Sequence, residues 1–464
     1  MPDANPVNPT HPADPTHRAR AVPVGSVLPR AGEPAFDQLR PPRSDLVDDC
    51  VHCGFCLPAC PTYLLWGEEM DSPRGRIYLI RAGLGGEPMS PSMVRHFDAC
   101  LGCMACVPAC PSGVQYHRLI EATRAQVERR YHRPPRETLI RGAVFGLFPY
   151  PRRLRMLRGP LAFYQRTGLA TAARRSRVLD RLAPTLAAMA DLAPPVARHP
   201  VLPERVAARG PRRAVVGMLT GCVQREFFPG VNAATARVLA LEGCDVVIPR
   251  NQGCCGALSV HNGRDEEARR FARRLVDTFL AAGVDYVVVN SAGCGSVLKE
   301  YAELLAGDAR YAGPARAFAS GVRDIAELLV ELGPVTARNP LPVRAAYHDA
   351  CHLANAQGIR SQPRQLLDGI PELTVREIAE PQICCGSAGI YNVLNPRTAR
   401  ELGDRKAANV LATGAELLVT ANPGCLMQVA GAARRSGVRL ALAHTVEVLD
   451  ASLRGLPASR LTAR

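Results

Sequence analysis

The stretch 100-CLGCMACVPACPSG-113 sets Cys100, Cys103, Cys106 and Cys110 in a C-x2-C-x2-C-x3-C run closed by Pro111. The same arrangement occurs fifty residues earlier in 50-CVHCGFCLPACPT-62, with Cys50, Cys53, Cys56, Cys60 and Pro61. These eight belong to 17 cysteines in a chain of 464 residues, and an odd count argues against a framework made only of disulfides. The N-terminus has no basic segment followed by an apolar stretch, so no secretory signal is expected. No long uncharged apolar run predicts a membrane-spanning helix. In the cytoplasmic setting this implies, C-x-x-C spacing points to metal or redox chemistry.

The spacing itself selects among metals. Three thiolates at intervals of three residues wrap three corners of one iron–sulfur cube. The fourth lies too far along to close that cube and ligates the other cluster. The proline after it turns the chain away. Cys50, Cys53, Cys56 and Cys110 are therefore assigned to one 4Fe–4S cluster, and Cys60, Cys100, Cys103 and Cys106 to the second. A pair of zinc knuckles is the competing reading, but zinc sites usually pair two C-x-x-C units without the third cysteine and the C-P step. Gly54 and Gly102 suit loops whose amides approach cluster sulfurs.

Working outward, residues 1–43 hold ten prolines and few large apolar groups, and are expected to be disordered, with the last part draped over the next domain. Residues 44–130 carry both cysteine runs. Between the runs, 71-DSPRGRIYLIRAGL-84 predicts a short helix. After them, Leu119, Ile120, Thr123 and Val127 recur at helical spacing, with Glu121, Arg124 and Glu128 expected on a solvated face. Residues 131–212 read as a basic helical linker or platform. From Arg129 to Arg213 nineteen arginines face four acids, which supplies the whole net charge of +15. That charge suits an anionic lipid surface, with Phe145, Leu147, Phe148 and Tyr150 beside Arg152, Arg153 and Arg155 as the seat, or a face turned to partner subunits. Nucleic acid is not an expected partner, because no base-stacking motif accompanies the arginines.

Residues 213–335 and 336–455 form two copies of one unit. Strand-like 214-AVVGM-218 and 343-VRAAY-347 each lead to a cysteine, then to CCG, a long helix, another strand and a last cysteine. Cys222, Cys254 and Cys294 correspond to Cys351, Cys384 and Cys425, at offsets of 129 to 131 residues. Short β-branched strands alternating with helices predict parallel α/β pairing, with the cysteines at strand ends where open sheets place sites. The fold class is thus mixed, α+β to α/β: a helical two-cluster ferredoxin-type region followed by a duplicated α/β unit. Cys222, Cys254, Cys255 and Cys294 in the first copy are candidates for a further metal or redox site. So are His348, Cys351, Cys384, Cys385 and Cys425 in the second, with His352 adjacent. Cys244 is left over, and a buried apolar role is expected for it.

The pattern 254-CCG-256 and 384-CCG-386 resembles the CCG cysteine-rich domain of heterodisulfide reductases and of iron–sulfur subunits of dehydrogenases. The fullest versions end each repeat in C-x-x-C. Here Ser291 and Asn422 take the first of those positions, leaving four cysteines of five in each copy. The whole order, with 72-SPRGRIYLI-80 between the two cysteine runs, then 110-CPSGVQYHRLIEATR-124, a basic helical stretch and the two CCG units, resembles glycolate oxidase (glycolate dehydrogenase) iron–sulfur subunits over residues 44 to 450. The resemblance implies two 4Fe–4S clusters and FAD-containing partner subunits that oxidise glycolate to glyoxylate. Electrons would then pass to a quinone or another acceptor, with peripheral attachment to the inner face of the cytoplasmic membrane. Consistent with this, the chain shows no dinucleotide fingerprint of its own, and no catalytic residue is assigned. The equivalent subunits of lactate or glycerol-3-phosphate dehydrogenases are the alternative. A catalytic heterodisulfide-reductase-like subunit is a third reading.

Overall fold

A computed structural model describes residues 33–169, 184–196 and 200–463. Proline and serine punctuation starts most of the helices in the first third. Helix α1 spans Ser44–Asp48, α2 Pro61–Trp66, α3 Pro73–Leu84, α4 Pro91–Ala99 and α5 Tyr116–Arg130. Ser72 and Ser90 cap α3 and α4, accepting from the amides of Gly75 and Met93, with proline at the first turn of each, where its missing N–H costs nothing. Ile77, Ile80, Met93, Phe97, Leu119 and Ile120 form the core between them. Helices α6 (Pro135–Leu147), α7 (Pro151–Arg166) and α8 (Pro184–Leu192) come next.

The rest is two sheets. Strands β1 (Arg205–Val206), β2 (Ala214–Met218), β3 (Cys244–Val247), β4 (Tyr286–Val289) and β5 (Val322–Asp324) form the first, in the order β1-β3-β2-β4-β5. Strands β6 (Val343–Tyr347), β7 (Leu373–Glu377), β8 (Leu417–Thr420) and β9 (Ala441–His444) form the second, in the order β7-β6-β8-β9. All pairings are parallel except that of the short edge strand β1 with β3. Apart from β1, which has no counterpart, the two strand orders are the same, as the internal repeat predicts. Helices 229–241 and 325–332 of the first copy and 361–368 and 445–453 of the second contribute to one apolar core shared by both sheets. Cys244 lies inside it, fully buried.

Three expectations are corrected. Disorder does not extend over residues 33–43, which instead drape over the cysteine-bearing region as expected of the tail's last part. Ala35 and Phe36 are buried, Phe36 packs beside Gly83, and Asp37 takes Arg129 and Gln126 of α5. Residues 1–32 and 170–183 of the expected tail and platform lie outside the described residues. The face of α5 expected in solvent is covered. Glu121 is 8% exposed, and Arg124 and Glu128 are half-buried. The loop at Gly263 packs so tightly on α5 that a Cβ there would lie 2.1 Å from the Arg124 carbonyl oxygen. Of the aromatic groups expected at a lipid surface, Phe145 is buried with the Arg264 guanidinium over its ring, and Tyr150 packs edge-on against Phe271. The exposed apolar side chains of α6 and α7 are instead Leu139, Met156, Leu157 and Phe163.

Candidate redox centres

Both cysteine runs enter a tight turn that needs left-handed residues, the second leaving α4 through extended backbone at Cys100. Gly54 (φ +89°) with His52 (φ +55°), and Gly102 (φ +63°) with Met104 (φ +58°), supply them, so each loop can curl its amides inward. In the second run the curl is visible as a hydrogen bond, with the Gly102 N–H donating to Cys100 Sγ at 3.4 Å. Cys60 ends the first run as the N-cap of α2, with Pro61 fixing the first turn.

Cys60, Cys100, Cys103 and Cys106 line one pocket, closed on its other side by Arg76, Tyr116 and Met104. All four cysteines are buried. Arg76 is the residue that the sequence reading missed. It lies in the SPRGRIYLI stretch, yet is only 1% exposed. Its Nε donates to the His96 carbonyl oxygen at 2.6 Å, and Nη2 to Thr62 Oγ1 and Asp71 Oδ1. A guanidinium so deep needs negative charge near it. Burial resists ionisation of Cys100, but Arg76 and Arg124 hold its thiol below the usual value, and Tyr116 Oη donates to its sulfur at 3.6 Å. Burial pushes the Cys103 and Cys106 thiols well up. Four thiols around a buried cation match an anionic iron–sulfur cluster, so the residues fit that group.

The remaining ligand candidates differ in exposure. Cys50, Cys56 and Cys110 are half-buried and pack on one apolar cluster, while Cys53 is exposed. Burial raises the Cys56 thiol to about 11. Arg74 pins this loop by donating to the His52 carbonyl oxygen at 2.9 Å.

The two α/β copies place their cysteines alike but surround them differently. In the first, Cys254 Sγ lies 3.7 Å from Cys222 Sγ, and Cys255 Sγ 3.1 Å from Cys294 Sγ. Hydrogen bonding between neighbouring sulfurs, then burial, raises the Cys294 thiol well above its ordinary value. In the second, His348, Cys385 and Cys425 present ligand atoms within 4.8 Å of one another, all buried. Neither ring nitrogen of His348 has a hydrogen-bond partner, though the residue is 1% exposed. An imidazole left so and aimed among thiols fits a metal. Cys351 Sγ is 3.6 Å from His352 Nδ1. Hydrogen bonding from Cys384 draws Cys351 well down towards the thiolate, and hydrogen bonding from Cys384 and Cys425 does the same for Cys385. Aligning Cys222 with Cys351 puts Leu219 and Val223 where the second copy has His348 and His352. The first copy therefore has the sulfurs without the imidazoles.

Ser291 and Asn422, which depart from C-x-x-C, meet each other. Ser291 Oγ donates to Asn422 Oδ1 at 3.5 Å, and Asn422 Nδ2 donates to Cys425 Sγ at 3.4 Å. The second copy also abuts the buried pocket. Leu101 and Cys103 share an apolar cluster with Cys384 and Cys351, and Asn355 Nδ2 donates to the Cys103 carbonyl oxygen. Across the junction His352 stacks on His261 at 4.8 Å, and His261 Nδ1 is 3.0 Å from Glu121.

Residues 46–114 match the 4Fe–4S dicluster domain, and residues 216–299 and 345–430 each match the cysteine-rich domain. Residues 136–193 match the linker region of the glycolate oxidase iron–sulfur subunit. The chain is 38% identical over 412 residues to the probable glycolate oxidase iron–sulfur subunit of Bacillus subtilis (strain 168), covering 86% of this chain and 93% of that one. It is 36% identical over 428 residues to the glycolate oxidase iron–sulfur subunit of Escherichia coli (strain K12), covering 87% and 93%. A shorter match, 32% identical over 241 residues, is to lactate utilization protein A of Shouchella clausii (strain KSM-K16), covering 51% of this chain and 98% of that protein.

Proposed function

Because the chain belongs to the family of glycolate oxidase iron–sulfur subunits, we propose that it is the electron-transfer subunit of a glycolate-oxidising complex. Its partners on this reading are FAD-containing subunits that convert glycolate to glyoxylate, and its acceptor is a quinone. The observation that carries the reading is the pocket of Cys60, Cys100, Cys103 and Cys106 over a buried Arg76. We assign these four to one 4Fe–4S cluster and Cys50, Cys53, Cys56 and Cys110 to the other. When bound, such clusters supply one-electron uptake and release.

The chain's own residues do the rest. Arg76 and Arg124 offset the charge of the buried thiolates, and the Gly102 amide and Tyr116 hydroxyl donate to Cys100, levers that set potential. Beside exposed Cys53, its chain neighbours Val51 (68% exposed) and Phe55 (65%) are open to solvent, a suitable seat for the donating partner. His348, Cys351, Cys384, Cys385 and Cys425 are assigned a further metal or redox site. The thiols of the first copy, Cys222, Cys254, Cys255 and Cys294, lack such imidazoles and form the weaker candidate.

Among the described residues, no helix is long and apolar enough to cross a membrane. Helix α7 carries five arginines and no acid, with Met156 and Phe163 exposed, which suits peripheral contact with the anionic inner face of the cytoplasmic membrane. The match to lactate utilization protein A makes lactate the second substrate to try.

Purifying the complex from a co-expressing strain tests the proposal. Glycolate-dependent dye reduction, with lactate and glycerol-3-phosphate in parallel, is expected to favour glycolate. About eight irons and eight sulfides per chain are expected from two cubanes. Zinc without sulfide, or disulfide reduction by this chain alone, would reject the reading.

A further inference from the structure

A cavity of about 680 Å³ opens between the cysteine-bearing region, α6 and both α/β copies. Cys100 and Leu101 line both this groove and the pocket of four buried cysteines, so one wall is common to the two. His352, next in sequence to Cys351, lines it as well. The groove thus borders the first buried redox candidate at Cys100 and comes within one residue of the second at His352.

Its lining has a mixed chemistry. Tyr131, Ile140, Val393 and Leu394 give apolar walls. At the rim stand Arg95, Arg136 and Arg397, all exposed and with no acidic partner among the described residues. Arg95 is held only by His96 Nε2, at 3.1 Å. Other arginines of the groove are spoken for. Arg133 pairs with Asp98 and Arg141 with Glu128. Deeper in, His261 and His352 each engage one ring nitrogen and leave Nε2 without a partner, as does the Tyr391 hydroxyl. The loop that forms one side is strained, since Ala388 holds φ +38° in a region that disfavours side chains. Such strain collects at ligand sites.

Apolar walls with a few unengaged donors, in a volume of several hundred Å³, are the marks of a small-molecule site. A place beside Cys100 and His352 suits a redox-active ligand. A flat ring with an apolar tail and two carbonyl oxygens suits both the walls and the donors. We propose that this groove is where the quinone acceptor binds, an assignment that rests on the electron-transfer reading above. The ring takes two electrons from the reduced chain and two protons from solvent, giving the quinol. The guanidinium N–H groups and the Tyr391 hydroxyl donate to its oxygens, the bare His261 Nε2 accepts from the quinol hydroxyl, and α6 leads from the groove to the exposed apolar surface at Leu139.

The test uses the full chain with its clusters in place. A photoreactive azido-ubiquinone is expected to label peptides within residues 131–141 and 388–397, with excess decylubiquinone competing. Ile140→Trp fills the groove, and the pair Arg136→Glu and Arg397→Glu reverses its rim. Both variants are expected to slow reoxidation of the dithionite-reduced chain by decylubiquinone about tenfold or more, with reoxidation by ferricyanide unchanged. Labelling elsewhere, with both variants oxidised by quinone at the full rate, overturns the groove while leaving quinone as acceptor. A wild-type chain neither labelled nor oxidised by quinone removes the acceptor reading and the groove with it. Label that enters the free chain but is excluded in the full complex makes a partner segment the occupant, which also overturns the proposal.

Discussion

Cys110 ends one cysteine run and packs on an apolar cluster that also takes Cys50 and Cys56 of the other run as well as Cys100 and Cys106 of its own. If it ligates across, Cys110→Ser should damage the cluster of the first run and spare that of the second. Electron paramagnetic resonance of the reduced variant separates the two, and loss confined to the Cys100 cluster rejects the crossing. At this scale the sequence was most readable for sulfur, because ligand spacing is local. The partners of sulfur were not. Arg76 looks like any surface arginine of an amphipathic helix until the fold turns it inward. Glu121 fits a solvated face by periodicity, and only the packing of the Gly263 loop on α5 reveals that it faces His261.

Among elements, the junction of β9 with the helix at Thr445–Leu453 shows how the two copies are joined. His444 caps that helix, its Nδ1 accepting from the Val446 N–H, while Nε2 donates to the Asn290 carbonyl oxygen 2.8 Å away in the other copy. Both nitrogens are thereby committed to the neutral ring, and burial lowers its pKa to about 4. The unfolded chain binds this proton near pH 6.5 and the folded chain does not, so stability falls as pH drops from 6.5 to 4. The shift amounts to on the order of 3 kcal/mol. His444→Asn keeps a capping side chain and lacks the titration. It should be less stable at pH 7 and show a flatter dependence of melting temperature on pH between 4 and 7. An unchanged slope would remove the assignment. The strands and long helices of both copies were legible from β-branched runs and helical periodicity. The capping histidine was not, because its partner lies 154 residues away.

Over the whole molecule, duplication supplied two similar sheets, but only one copy has imidazoles among its sulfurs, and that copy sits against the buried cysteine pocket. Sequence self-similarity made the duplication visible. The asymmetry required knowing which copy the first domain packs on. The same packing grades the cysteines by depth: Cys53 is open to solvent, while Cys103 and Cys106 are buried, Cys103 against Leu101 and the second α/β copy. Dissolved oxygen meets the outermost sulfurs first, since susceptibility follows exposure. Air should therefore wear the protein from the outside in. About four irons should leave early and about four late, as a time course of iron release would record, whereas loss of all the iron in one phase would contradict it. A chain worn in this way keeps its inner half intact, so repair in a cell would need to rebuild only the centre that faces the partner.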